Sequence, residues 1–517
     1  MKRVVFGVLI PFFLFAEGIS FNGRFNVGFT SRPVRRDTVN PANTLQIGIG
    51  GGINMFGISA GLNLFFNSDD KFTPRASSFY SLTPSWGWGR AYIGDFAPSF
   101  SSFSLSGVSM RGGGLELFPG KFNLFVVSGV VKGAEEDSTS SSYSKYMWGV
   151  KLGFGKSSRA NISILNSKDI PSSLEDSLRG NKTPEENWVF EIGNRVVIKK
   201  IFSIKATGAV SMLTRNIYAS PVTGKRVPSW LKSGLNLNLS SNVDYAYSIK
   251  TGLRLKKMIL NYRHSYIGPG FESHGLAGIA NDRVEDGGSI NFSLGRYGSL
   301  GASGSYYRDN LVGLKDSDTR NLIANVFLSL VPTRKLSFTT TAMMNRMNRN
   351  SAQSDTQSVS NRSVSLSVSS SYRPSKKVSL GINSSITEAE VLTIFNDVKT
   401  RIISTGARLN HRLTKSFSYG LGFGVVSTNS DTLKETSLTP SINIRFVPGR
   451  KLRFTFGLRS GISKKRNFVG TNVRGIVRVT PRDAVTLRLT SENYTDSTPP
   501  TLTIHLSYSR AFGKKVY

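Results

Sequence analysis

Cysteine is absent from the 517 residues and histidine occurs only four times. Thiol nucleophiles, disulfides, cysteine-held zinc and iron–sulfur clusters are excluded, and little is left to build a histidine metal centre. Acidic residues are scarce as well, with 32 Asp and Glu against 66 Lys and Arg, a formal charge of +34. Long apolar runs are missing too, since nothing reaches the roughly 18 to 20 residues that a spanning helix needs. What fills the chain instead is 51 glycines, much serine and asparagine, and a hydrophobic fraction of 39%.

The N-terminus points to export. Lys2 and Arg3 precede an apolar run over residues 4–15, followed by small Ala16 and polar Glu17. This is the layout of a secretory signal peptide, cleaved after residue 16. Its two cations take +34 only to +32, so the charge belongs to the mature chain, residues 17–517.

From residue 21 onwards, apolar side chains recur at every second position, the period of a strand. Phe21, Phe25, Val27 and Phe29 alternate with Asn22, Arg24, Asn26 and Gly28, and Trp148, Val150, Leu152 and Phe154 alternate with Gly149, Lys151 and Gly153. Further cases cover residues 58–66, 202–212, 235–239, 322–330, 417–425, 452–458 and 502–508. A helical pattern is weakly present only near residues 388–397.

Between these segments a basic turn recurs. Residues 331–338, 373–380 and 447–454 each place a proline ahead of an Arg-Lys or Lys-Lys pair and then restart a strand; proline presets the first central position of such a turn. Ten turns of this kind between residues 119 and 481 recur about every 40 residues, room for two strands each. The opposite hairpin ends, at residues 134–145, 345–358, 427–436 and 493–500, are longer and more polar. The pattern predicts an all-β chain: a single transmembrane antiparallel up-and-down β-barrel of about 24 to 26 strands, with short periplasmic turns and long extracellular loops. A soluble sandwich or propeller would show the same alternation. The export signal, the linker-free hairpin series and the polar Gly, Ser, Asn, Thr and Arg faces favour lipid. The last strand agrees, with Leu502, Ile504, Leu506, Tyr508 and Phe512 on one face.

Motifs that suggest chemistry are weak. Gly155-Lys156-Ser157 ends like a phosphate-binding loop, but Val150 stands where that loop needs glycine, so a turn is expected. Gly48, Gly50, Gly51 and Gly52 lie in a strand-like stretch. Ser273, His264, His274, Asp282 and Asp286 are the residue types of a serine hydrolase, yet no spacing fixes a base beside a nucleophile. His411 and His505 are isolated. The reading is therefore of a non-enzyme with no cofactor and no metal.

Two segments are denser in Gly and aromatics. One is residues 86–96, followed by 103–108 and 111–114; the other is residues 262–271 with Ser273, Gly275, Asn281 and Asp282. Both resemble segments of large, mostly uncharacterised outer-membrane β-barrel proteins, and Gly94-Asp95-Phe96 with Ser106-Gly107-Val108 is similar to the start of a pilus-usher barrel. The resemblance implies an outer-membrane barrel, although the chain lacks the N-terminal domain and plug insertion of ushers. On the residues alone, Trp86, Trp88 and Tyr92 would be an interfacial aromatic belt.

The arginines carry the functional signal. If Leu409, Ile442, Ile444, Phe454, Phe456, Leu458, Val477, Leu487 and Leu489 face lipid, alternation puts Arg408, Arg412, Arg445, Arg453, Arg459, Arg474, Arg478 and Arg488 in the lumen as pore-lining residues. Facing lipid at the midplane would cost about 2 to 4 kcal/mol each. Residues 401–490 hold 17 Lys and Arg but only Asp431, Glu435 and Asp483, so local pairing cannot neutralise the wall. These positions predict an outer-membrane channel of a Gram-negative-type envelope, with a basic lumen favouring anionic solutes. The alternatives are a secretion or assembly barrel exporting a polypeptide or polysaccharide, and a structural surface barrel. Expected partners are outer-membrane lipid, anionic solutes and a lumen-filling or periplasmic protein. Nucleic acid, the usual inference from such charge, is not expected for an exported chain without a basic module. Inward-folding loops are expected among residues 32–44, 69–80, 167–186 and 263–288.

Overall fold

The computed structural model of the protein describes residues 19–34, 43–68, 78–134, 141–180, 182–222, 235–351, 358–393, 397–431, 433–463, 467–495 and 500–515. The signal peptide expected at residues 1–16 lies outside them.

Strands follow the alternation throughout. Among the described residues twenty-seven strand segments follow one another in chain order. They fall into two compact units. The first contains β1 (Ile19–Val34), β2 (Asn43–Met55), β3 (Ile58–Asn67), β4 (Phe79–Trp86), β5 (Gly89–Phe96), β23 (Ser441–Phe446), β24 (Leu452–Gly461), β25 (Phe468–Arg478), β26 (Asp483–Tyr494) and β27 (Thr501–Lys515). Here β1 pairs with β2 on one edge and with β27 on the other, from Ser20↔Lys515 to Val34↔Leu502, so the first and last strands are neighbours. The second unit contains β6 (Met110–Leu117), β7 (Phe122–Lys132), β8 (Ser144–Gly155), β9 (Arg159–Ile170), β10 (Glu186–Ile198), β11 (Phe202–Thr214), β12 (Ser241–Arg254), β13 (Met258–Ile267), β14 (Arg283–Ser293), β15 (Gly298–Asp309), β16 (Ser317–Thr333), β17 (Leu336–Ser351), β18 (Val359–Tyr372) and β19 (Val378–Thr393). Three further strands, β20 (Asp397–Arg412), β21 (Phe417–Ser430) and β22 (Lys434–Leu438), contribute to both units. β22 and β23 are one span interrupted at Thr439 and Pro440, where proline removes a ladder donor, so the 27 segments make 26 spans. The fold is an antiparallel up-and-down β-barrel, at the upper end of the expected strand count. Six strands precede Pro119.

All ten basic turns expected from the sequence join consecutive strands. The turn at Gly155-Lys156-Ser157 is one of them, between β8 and β9. Two sequence expectations fail. Of the residues 388–397, the described ones are strand and not helix: Glu388 and Glu390 belong to β19 and face the apolar side beside Ile386 and Leu392, held by the β18 ladder. Residues 235–239 are not a strand; they form turns ahead of β12, and the true alternation there is Val243, Tyr245, Tyr247 and Ile249. Among the described residues the one α-helix is the single turn Asp176–Arg179.

Face assignment decides between a soluble sandwich and a membrane barrel. In the second unit Phe154, Ile192, Ile162 and Val210 are exposed by 64%, 64%, 57% and 44% on the face opposite the buried side chains. A sandwich would cover that face with a second sheet; a spanning barrel leaves it to lipid. The exposed apolar face is that of a membrane-spanning β-barrel.

Candidate functional site

The buried residues of the second unit lie where two loops fold onto the polar face of β7 to β12. Residues 97–109 follow β5, and residues 268–282 join β13 to β14. Phe100 packs edge-on against Phe125 at 5.4 Å, and Phe103 meets Phe271 at 6.1 Å. Leu105 and Phe271 are completely buried. Strand residues make room for them: a Cβ at Gly149 would stand 2.9 Å from the Phe100 ring.

The two loops are tied to each other. Ser273 Oγ donates to the Ser104 carbonyl at 2.7 Å, Ser106 N–H to the Gly275 carbonyl at 2.8 Å, and Ala277 N–H to the Ser106 carbonyl at 3.3 Å. Gly275 is required by this approach, since a Cβ there would lie 2.3 Å from the Ser104 carbonyl oxygen. Both are also pinned to the wall. Lys151 Nζ donates to the Phe100 carbonyl, Ser101 Oγ donates to Glu191, and Asn187 receives the His274 N–H at 3.2 Å and donates to the Glu272 carbonyl at 3.0 Å. Residues 103–108 of the first segment singled out in the sequence thus pack with residues 271–275 of the second in one constriction. Of the loops expected to fold inward, residues 263–288 do so through their middle part, whereas residues 32–44 and 69–80 lie largely outside the described residues. Residues 167–186 divide into the end of β9 and a cap containing Leu174, which is 1% exposed. The loop at 97–109 was not anticipated.

The residues resembling a hydrolase do not meet. Ser273 is spent on Ser104, Asp282 accepts the Leu311 N–H at 2.9 Å, and His264 pairs with Asp286 at 2.8 Å on the apolar face, where Tyr262 OH also donates to Asp286. His274 instead touches Ser167 Oγ at 2.8 Å, Lys145 Nζ at 3.2 Å and Glu185 Oε2 at 3.5 Å. Ser167 is 1% exposed beneath the loop, so this group fastens residues 268–282 to the wall. The hydrogen bond with His274 holds the Glu185 carboxyl below its ordinary range, against an opposing contribution from burial. No group of three His, Asp or Glu among the described residues is placed to hold a metal.

On the same polar face, below the constriction, the strand register lines up five cations. Arg159 stands directly opposite Arg195, Arg195 opposite Lys205, Lys205 opposite Lys250, and Lys250 opposite Arg263. All of them but Arg159 border a cleft of about 510 Å³ with Ser203, Asn261 and Glu285. Glu285 is shared by Arg263 and Arg283, the latter at 3.2 Å. Like charges directly opposite on a sheet disfavour pairing, so the row is held in place at a cost to stability. Each strand contributes one cation, which no single-strand pattern flags.

In the first unit, all eight arginines expected to line the pore share the polar face. Arg445 stands opposite Thr455, Thr455 opposite Arg474, Arg474 opposite Arg488, and Arg488 opposite His505. Arg453 and Arg459 alternate with Phe454, Phe456 and Leu458 on β24, and Arg478 lies opposite Ala484. Arg408 donates to Asn410 at 3.2 Å, and both, with Arg412, alternate with Leu409 and His411, whose ring meets Tyr419 on the other face. One acid enters the wall from beyond the window counted in the sequence: Glu492 pairs with Arg459. With Asn443, Asn472 and Arg488 these two border a cleft of about 370 Å³.

No protein-family model matches the chain, and no curated protein sequence is detectably similar. Solved structures are similar at low identity. OccAB4 of Acinetobacter baumannii is 13% identical over 74% of this chain and 99% of its own, with a TM-score of 0.30. The siderophore receptor PirA from Pseudomonas aeruginosa is 9% identical over 96% and 80%, with a TM-score of 0.43. The translocation pore of the P pilus usher PapC is 8% identical over 95% and 99%, with a TM-score of 0.38.

Proposed function

We propose that the protein is a passive outer-membrane channel whose inner wall favours anionic solutes. The observation that carries this reading is the unbroken line of five cations across β9 to β13, built despite mutual repulsion. The arginines of β20 and β23 to β26 add a second basic surface on the polar face of the first unit. Charged rows on a pore wall raise the local concentration of counter-ions and set selectivity. The constriction made by residues 97–109 and 268–282 narrows the path and excludes large solutes. Liposome swelling with sugar acids and amino sugars of equal size tests the reading: faster entry of the acids supports it, and equal or slower entry contradicts it.

A further inference from the structure

On β15 to β18 the apolar face ends in a collar of arginines, one per strand: Arg308, Arg320, Arg346 and Arg362. Arg308 stands directly opposite Arg320, and Arg346 directly opposite Arg362. Their face is fixed by register, because Arg320 shares the side of β16 that carries Leu322, Val326 and Leu328, and Arg362 the side of β18 that carries Val364, Leu366 and Val368. The level is fixed as well. Arg362 lies ten residues from Tyr372 on the same face; at roughly 3.4 Å per residue and a tilt of about 40°, that spans about 25 Å, the height of a barrel's apolar band. The short turns lie at the Tyr372 end, so the collar stands at the extracellular boundary.

Two neighbouring strands extend the collar with matched charge. Arg401 pairs with Glu388 at 3.3 Å, and Lys399 with Glu390 at 3.2 Å, while Arg320 pairs with Asp318 at 3.0 Å. Among the described residues Arg308, Arg346 and Arg362 make no ion pair. A cleft of about 680 Å³ opens between Arg362, Glu388, Lys399, Arg401 and Lys434. Outward cations of this kind do not serve solutes inside the barrel; Arg362 stands opposite Glu390, which is itself paired with Lys399, and among the described residues Arg308 and Arg346 have no acidic partner.

We infer that this collar binds a phosphate-bearing lipid headgroup of the outer leaflet. Guanidinium groups match phosphate oxygens in paired hydrogen bonds, Arg346 and Arg362 present two such groups side by side, and the acyl chains of the same lipid would lie on Val364, Leu366 and Val368 below. The acids at Glu388 and Glu390 orient Arg401 and Lys399 at the edge of the cleft.

Purified full-length protein in neutral detergent, titrated with bisphosphorylated lipid A, dephosphorylated lipid A and inorganic phosphate and read by native mass spectrometry, tests the inference. Wild type should retain the phosphorylated lipid, and the R346Q/R362Q double variant should bind it at least about tenfold more weakly. The R346K/R362K variant keeps the charge and should show an intermediate loss. Folding of each variant is read from the mobility of the unheated barrel on a gel. Undiminished retention by the folded variants, or equal retention of the dephosphorylated lipid, overturns the inference; displacement by inorganic phosphate alone overturns the lipid assignment.

Discussion

Lys205 and Lys250 stand directly opposite each other across the β11–β12 ladder, with Arg195 and Arg263 continuing the line on either side. No local folding requirement places like charges there, and the pair opposes the strand contact it sits in. Replacing both by glutamine should strengthen that contact by about 0.2 to 1 kcal/mol and lower the anion preference of the pore. A rise in the temperature at which the barrel unfolds on a gel, together with reduced selectivity, checks both halves. Lower stability with unchanged selectivity would show that the lysines are structural.

The ion pair between Arg459 and Glu492 gives a prediction of opposite sign. Glu492→Gln frees a cation on the polar face, so anion preference should rise relative to wild type. Planar-bilayer recordings of the variant in a salt gradient measure it, and a fall in anion preference would place Arg459 outside the ion path.

The constriction depends on Gly275. In Gly275→Ala the new methyl meets the Ser104 carbonyl, so residues 97–109 and 268–282 should separate while the strands remain. Phe103→Ala removes the contact with Phe271, and truncating a buried aromatic costs about 3 to 5 kcal/mol. Both variants should show larger unitary conductance and faster proteolysis within these loops. Wild-type conductance in both would mean that the loops do not narrow the pore.

Acid should loosen the same loops. Glu185 faces His274, Lys145 and Arg215, with Asp169 holding its backbone, and its carboxyl is depressed in the folded state. Such a group contributes stability that is complete above the ordinary carboxylate range, about 4.3, and is lost as the pH falls below it through the folded value. Protease sensitivity of residues 268–282 should therefore increase below about pH 4 in wild type and lose that dependence in Glu185→Gln.

Most of the fold was legible in the sequence because a barrel strand writes its two faces in alternation. Trp148, Val150, Leu152 and Phe154 gave β8, and the Pro-Gly-Arg-Lys turn at residues 448–451 gave the hairpin around it. Residues 235–239 failed because three alternating leucines fit a turn as well as a strand until a partner is known. Glu388 and Glu390 misled because charges on the apolar side of a strand make sense only at the membrane boundary, a level that the sequence does not mark. The eight arginines could be assigned to a face from β20 and β23 to β26 one strand at a time. The row from Arg159 to Arg263 could not, since it exists only in the register between five strands, and the partnership of Ser104 with Ser273 joins residues 169 positions apart.

Whether the inner wall selects anions is read from the reversal potential of single channels in a potassium chloride gradient. The wild-type protein should reverse at a potential favouring chloride, and the preference should fall stepwise in the double variant K205Q/K250Q and further when Arg474→Gln and Arg488→Gln are added. Reversal at the potassium side, or no conductance at all, would contradict the account.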